Sequence, residues 1–273
     1  MEVSALYTYP IKSLGGITLQ KAAVEARGLA YDRRWMLVDQ QGKFLTQRQH
    51  PTMALLQVTL DEREETLTVY HKQQPQQTIS IPLKIAQTTT RTVEVWGDYC
   101  EAQGWGKLYD EWFSDMLQFD CQLVYMPTST KRAVETAYAK QEEITSFSDG
   151  YPFLLIGQAS LDALNQRLPE AIPMNRFRPN IVFTGGEAHI EDTWQYFKIN
   201  EITFQAAKPC ARCVVTTIDQ ATATQYKEPL KTLATYRNVG YKILFGQNLL
   251  HQGSGYIHVG DKIDVLSLQE QAS

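Results

Sequence analysis

The sequence predicts a β-rich α+β fold, and three observations carry that expectation. Short runs of β-branched and aromatic residues recur at close spacing through the first half of the chain, as in a barrel or sandwich. Helical spacing is convincing in only three places. The two kinds of segment do not alternate as in a regular βαβ winding, so the sheets should be mixed and largely antiparallel. With 273 residues, 43% of them hydrophobic, the chain is long enough to build a sizeable core. At this size folding buries roughly 75% of the unfolded surface, and no disulfide or metal staple is needed.

Taken in order, Trp35-Met36-Leu37-Val38 and Phe44-Leu45-Thr46 flank the turn-like Gln40-Gln41-Gly42-Lys43 and read as a hairpin. Residues 55–60 and 67–70 repeat the pattern around the charged turn 61–65. Strand character returns at 78–82 and 92–96, with the Gln-rich stretch 73–77 as a loop tip between strands. Leu108, Trp112 and Met116, with Tyr109 and Phe113 alongside, predict a core-facing helix over about residues 105–118. Leu161, Leu164 and Leu168 predict a second helix beginning at Ser160. A third is expected over 228–237, with Pro229 in its first turn. Residues 180–183, 213–218 and 256–266 read as strands. A soft division falls near residues 122–128, giving domains 1–125 and 126–273.

Composition excludes several classes. A net charge of -4 argues against stable nucleic-acid binding or capture by anionic membranes, since both draw on phosphate neutralisation. No apolar run approaches the roughly 18 residues of a membrane span. Glu2, Pro10 and Lys12 interrupt any signal peptide, so a cytoplasmic location is expected. Phosphate-loop, dinucleotide and nucleophile-elbow motifs are absent, and the five histidines have no metal-ligand spacing.

Two features carry chemistry. In Lys208-Pro209-Cys210-Ala211-Arg212-Cys213-Val214 the cysteine pair lacks the two further ligands of a structural zinc site. It also leads into a β-branched run, where a thioredoxin-type pair starts a helix. A thiolate at a strand end, favoured by the adjacent Arg212, suits a soft metal centre; two small buried hydrophobes account for the pair equally well. The second feature is a set of cations beside strand ends: Lys12, Arg33 and Arg34, Arg48, then Arg176 and Arg178. Singly each is an ordinary solvated charge, but together in one cleft they would bind an anion.

Eight segments in register over some 240 residues resemble the MOSC-domain proteins, and most closely the branch of the mitochondrial amidoxime-reducing component and the bacterial YcbX-type proteins. They are Tyr9-Pro10-Ile11-Lys12-Ser13, Asp32-Arg33-Arg34-Trp35, Arg48-Gln49, the run Ser148-Asp149-Gly150-Tyr151-Pro152-Phe153, Phe177-Arg178-Pro179-Asn180, Cys210-Ala211-Arg212-Cys213, Glu228-Pro229-Leu230 and Phe245-Gly246-Gln247-Asn248. The resemblance implies an N-terminal β-barrel-like domain and a MOSC β-barrel domain with peripheral helices, and a molybdopterin-type molybdenum cofactor between them.

By the same matching, Cys213 is the expected metal ligand, and strand alternation lets only one of the two cysteines face a given metal. Lys12, Ser13, Arg33 and Arg178 are expected at the phosphate or pterin. Asp149, Gly150, Tyr151, Asn180, Ala211, Arg212 and Asn248 should surround the cofactor, with Asp149 also a candidate proton donor. Arg34 and Arg48 fit a structural salt bridge as well as a ligand contact. The implied activity is reduction of N-hydroxylated compounds such as amidoximes, hydroxylamines and N-hydroxylated bases, which would serve detoxification. Its alternative is a non-catalytic cofactor carrier or sulfur-delivery module. Mitochondrial relatives carry a membrane anchor and YcbX-type relatives often append a ferredoxin domain. Here seven residues without cysteine follow Leu266, so electrons are expected from a separate flavin, haem or iron–sulfur protein.

Overall fold

The computed structural model describes residues 1–84, 89–135 and 143–269. The fold is the expected β-rich α+β type. A nine-stranded sheet runs in the order Ile17–Leu19, Glu2–Thr8, Ile181–Thr184, Phe153–Gly157, Lys242–Gln252, Ile202–Ala211, Trp194–Ile199 and Ile263–Leu268, with Asn238–Val239 paired beside the long Lys242–Gln252 strand. Among the described strands only Phe153–Gly157 and Ile181–Thr184 pair in parallel. Smaller antiparallel sheets join Trp35–Val38, Gln122–Tyr125, Asp98–Gly104 and Thr89–Val95, and Leu56–Asp61, Thr66–His71 and Gln74–Pro82. No helix among the described residues is long and apolar enough to cross a membrane.

Packing crosses the division proposed at residue 125. Val3, Leu6 and Val24 bury in one core with Phe153, Phe197 and Phe204, while Ile11, Leu14 and Trp35 enter a second core with Val69, Phe113 and Leu123. The change of core follows from pairing. Glu2–Thr8 is bonded to Ile181–Thr184, and Lys21–Glu25 to Gly255–His258, whereas Trp35–Val38 pairs with Gln122–Tyr125. The first 38 residues therefore pass from the first core to the second, back, and out again.

Several local expectations need correction. The hairpin after Val38 forms around Asp39, whose carboxylate accepts the Gln41 and Lys43 N–H groups, but its second arm is only an isolated bridge at Phe44. The partner surface of Trp35–Val38 goes instead to Gln122–Tyr125. Gln74–Pro82 is a strand that begins inside the Gln-rich stretch. It forms a sheet edge, where Pro75 removes no ladder bond and exposed glutamines are tolerated.

The helix Lys107–Leu117 is present, but Phe113 and Leu117 carry its buried face and Leu108 is 67% exposed. Gln158–Asn165 starts two residues before Ser160. The third helix shrinks to Leu230–Leu233, because the chain must turn through Arg237 into Asn238–Val239. Residues 213–218 are not a strand. Val214–Thr217 is a 3-10 turn, in which the Thr216 and Thr217 hydroxyls donate to the Cys213 and Val214 carbonyls. That local bonding overrides β-branched propensity. Finally, the 256–266 run is two strands, Gly255–His258 and Ile263–Leu268, parted by a turn.

Shared burial makes a stability prediction. Leu6→Ala should cost about 2–5 kcal/mol in denaturant unfolding, because Leu6 is fully buried where the two ends of the chain meet. Leu108→Ala should change stability by no more than about 0.5 kcal/mol despite lying in the same predicted apolar pattern as Trp112.

Candidate functional site

A cleft of about 150 Å³, opening into a basin of about 620 Å³, takes its walls from both halves of the chain. Every residue expected at the metal, phosphate, pterin or cofactor lines it, whereas Arg176, one of the cations singled out, is buried elsewhere against the Thr216 carbonyl and Asp219. Lys12, Ser13 and Arg33 come from the segment that passes between the cores. Asp149, Gly150 and Tyr151 come from the loop before Phe153–Gly157, and Arg178 and Asn180 from the turn before Ile181–Thr184. Ala211, Arg212 and Cys213 follow Ile202–Ala211, and Asn248 lies on Lys242–Gln252. Of the two residues left open, Arg48 lines the cleft and Arg34 does not. Arg34 points away and donates through Nε and Nη2 to the Met126 carbonyl and through Nη2 to the Tyr125 hydroxyl, so its role is structural.

Lys12 is buried and donates to the Phe147 carbonyl at 2.7 Å and to Asp149 Oδ1 at 2.5 Å. Burial pushes it down to about 8, opposed by the Asp149 charge and hydrogen bond. Asp149 keeps 66% of its side chain open at the cleft mouth. The surrounding protein would raise its pKa, but Lys12, the Trp96 indole N–H at 3.0 Å and Arg48 at 3.8 Å outweigh that and hold the carboxyl well below the usual range. Arg48 also lies 4.2 Å over the Trp96 ring. The loop 146–148 is fixed from behind, where the Arg132 Nη1 donates to the Ser146 and Ser148 carbonyls.

Arg33 and Arg178 lie against the buried Tyr9 ring, each guanidinium carbon 4.3 Å from its centroid. Arg33 bonds Asp32 at 2.6 Å, Asn180 Oδ1 at 3.2 Å and the Arg178 carbonyl at 3.3 Å. Arg178 donates to the Leu14 carbonyl at 2.8 Å. Burial, with Arg33 close by, pushes Arg178 down to about 10. Ser13, Arg33 and Arg178 all adopt left-handed backbone, with φ of 69°, 49° and 56°. For residues other than glycine this conformation is costly, and such positions cluster at binding sites. Asn180 is a buried peg: its amide accepts from the Leu154 N–H and donates to the Tyr7 carbonyl.

Both cysteines line the same cleft, so strand alternation does not separate them; the strand ends at Ala211 and Cys213 precedes the 3-10 turn. What separates them is Arg212. Its guanidinium donates to Cys210 Sγ at 2.9 Å and to the Phe177 carbonyl at 2.6 Å. The expected support of Cys213 by Arg212 is thus directed at Cys210, while Cys213 Sγ has no hydrogen-bond partner among the described residues. Arg212 Nε is buried without an acceptor, an unmet donor within the wall. At Gly150 an added Cβ would meet nothing within 4 Å, so bulk is tolerated there.

Sequence reading passed over Tyr9 and Trp96. Tyr9 sat inside a quoted segment, but its sandwich between two arginines needs the fold. Trp96 left a signal: with Gly97 it forms a two-residue turn in which both φ are positive, 56° and 89°, a position where Asn or Asp is usual.

Fold and site together define a β-rich protein with a cation-rich cleft that two cysteines help to line. The chain belongs to the MOSC-domain family. Residues 1–120 match the MOSC N-terminal beta barrel domain and residues 142–264 the MOSC domain. It is 32% identical to human mitochondrial amidoxime-reducing component 1 and 31% to that of Mus musculus, covering 97% of this chain and 82% of each relative. Molybdenum cofactor sulfurase of Oryza sativa subsp. japonica is 28% identical over 90% of this chain and 32% of its own length. Family and relatives link the chain to the molybdenum cofactor.

Lys12 yields a pH prediction. Its folded value of about 8 lies below the ordinary 10.5, so between those values the folded state binds fewer protons than the unfolded, and the Lys12 contribution to stability grows with pH. The stability difference between wild type and Lys12→Met, followed by thermal unfolding from pH 7 to 11, should move in favour of wild type across that window. A flat difference would contradict the assignment.

Proposed function

We propose that the cleft holds a pterin-type molybdenum cofactor and that the protein is a molybdenum-dependent oxidoreductase reducing N-hydroxylated compounds, among them amidoximes, hydroxylamines and N-hydroxylated bases. The observation that carries this reading is the donor set. Lys12, Arg33, Arg48, Arg178 and Arg212 converge on one cleft whose lining includes one carboxylate, Asp149, in a chain of net charge -4. Two sulfurs stand on the same wall. Among the described residues no three His, Cys, Asp or Glu side chains gather to hold a metal unaided. Such a wall fits a metal that arrives with its own sulfur ligands on an anionic organic group and takes one protein thiolate.

When bound, the cofactor supplies two-electron oxygen-atom chemistry. The residues of the chain bind and orient it. Cys213, with its sulfur free of hydrogen-bond partners among the described residues, is the metal ligand; Cys210, held by Arg212, is part of the wall. Lys12, Ser13, Arg33 and Arg178 hold the phosphate and pterin, while Gly150, Tyr151, Asn180, Ala211 and Asn248 shape the pocket around them. Asp149 is held ionised at neutral pH and acts as ion-pair partner. The proton-bearing member of the pair is Lys12, whose value of about 8 suits proton delivery. Electrons come from a separate flavin, haem or iron–sulfur protein meeting the cleft through a small transient interface. A cytoplasmic location belongs to the same proposal.

The similarity to the sulfurase supports a second reading, a cofactor carrier or sulfur-delivery module using the same cleft. Turnover separates the two. Molybdenum-replete protein given reduced viologen should convert benzamidoxime or 6-hydroxylaminopurine, and Cys213→Ser should abolish both conversion and the molybdenum–thiolate signal in X-ray absorption. Cys210→Ser should be much milder. Arg178→Ala should lower pterin and molybdenum content more than about tenfold, as expected when one partner of a desolvated charge contact is removed. Full cofactor content with no product above the Cys213→Ser control across a substrate panel would favour the carrier.

A further inference from the structure

Behind the Tyr9 and Arg178 side chains lies a second pocket of about 290 Å³. Arg178 borders both cavities, so the two lie back to back. The second is lined by Tyr9, Gly16, Gln57, Lys72, Arg178 and Gln220 among others, and no Asp or Glu is in its lining. Lys72 is half-buried there. Its ammonium donates to the Ala54 carbonyl at 2.7 Å and the Gln220 carbonyl at 2.6 Å. Those two bonds leave the third N–H without an acceptor among the described residues. Among the described residues no carboxylate is within ion-pair distance of Lys72. The nearest acidic influence is Asp219, which is engaged by the Ala221 and Thr222 N–H groups and by Arg176 at 3.6 Å.

Two cations thus border a common space whose lining holds no carboxylate, with Asp219, Asp32 and Asp149 compensating only from outside it. Burial, together with repulsion from Arg178, pushes Lys72 down to about 8. Glycine lets two side chains of the pocket wall, Tyr9 and Gln57, pack directly against the backbone. A Cβ at Gly16 would come within 2.4 Å of the Tyr9 ring, and one at Gly15 within 2.6 Å of the Gln57 amide oxygen. A half-buried ammonium with one N–H unmet, beside a second cation, is stabilised by a tetrahedral oxyanion accepting from Lys72.

We propose that this second pocket binds a phosphate group with Lys72 as its donor, while Arg178, in the wall shared with the first cleft, adds positive charge. The test titrates the cofactor-replete protein, its first cleft filled, with inorganic phosphate by calorimetry at low ionic strength, in parallel with adenosine 5′-monophosphate. One saturable site is expected. Lys72→Gln should weaken it about tenfold or more, and Lys72→Arg should largely restore it. Thr18→Asp, which puts a carboxylate on the exposed rim of the pocket, should weaken it similarly and covers the case in which Lys72→Gln fails to fold. Tighter binding of the nucleotide identifies a phosphomonoester as the source; equal binding identifies free phosphate. Lys12→Ala, in the first cleft, should leave this binding unchanged. Absence of saturable binding, indifference to both Lys72→Gln and Thr18→Asp, or equal loss in Lys12→Ala would overturn the proposal.

Discussion

The pairing of Glu2–Thr8 with Ile181–Thr184 is the constraint on which the cleft depends. Once the first strand is locked into the large sheet, residues 9–14 must leave it toward the second core, where Ile11 and Leu14 are buried. Lys12 and Ser13 are then carried between two packed bodies. The return through Lys21–Glu25 and the exit at Trp35–Val38 bring Arg33 past the same place. Arg178 sits in the turn that leads into the very strand to which Glu2–Thr8 is bonded. Cations more than 140 residues apart in sequence are therefore brought together by sheet register, with apolar burial as the main driving force.

Gathering like charges is unfavourable, and the way it is managed here explains the site's character. Most of the cations are oriented by carbonyls and aromatic faces: Lys12 by Phe147, Arg178 by Leu14 and Tyr9, and Arg212 by Phe177. Carbonyls fix direction without cancelling charge, so positive potential remains for a ligand. Asp149 and Asp32 neutralise part of it, enough to allow folding. The left-handed backbone at Ser13, Arg33 and Arg178 adds strain of about 1–3 kcal/mol at each position. Asn180 offsets it by tying three segments together, bonding Arg33, Leu154 and Tyr7.

How much of this was legible in the sequence depends on the range of the interaction. Hairpins closed by local turns, such as Leu56–Asp61 with Thr66–His71, were visible because their pattern and their partner lie within a few residues. The helix Lys107–Leu117 was visible too, though its inward face was not, because the 3.6-residue period admits a small rotation that only the opposing strands decide. Residues 213–218 were misread because β-branched propensity is weak against threonine hydroxyls bonding the local carbonyls. The site residues could be gathered only by a resemblance acting on all eight segments at once. Spacing alone left each cation an ordinary surface charge. Tyr9 and Trp96 remained unread because an aromatic contact with a guanidinium depends on long-range packing.

The two cysteines show how such packing divides chemically equal groups. Both thiols line one cleft, and neither sequence spacing nor strand alternation distinguishes them once the strand ends at Ala211. The distinction comes from a single side chain folded back along its own segment. Arg212 reaches the Phe177 carbonyl and in doing so places Nη1 against Cys210 Sγ, and that sulfur also packs against the core around Phe177 and Phe245. A metal at Cys210 would have to displace a charged donor from its sulfur, whereas Cys213 presents its lone pairs without that competition. The same guanidinium keeps Nε buried and unsatisfied, a cost that opposes further withdrawal of Arg212 into the wall and favours an acceptor bound in the cleft. On the proposed reading, recognition of the anionic cofactor and selection of the thiol are coupled through one residue, and a change at Arg212 should disturb both together.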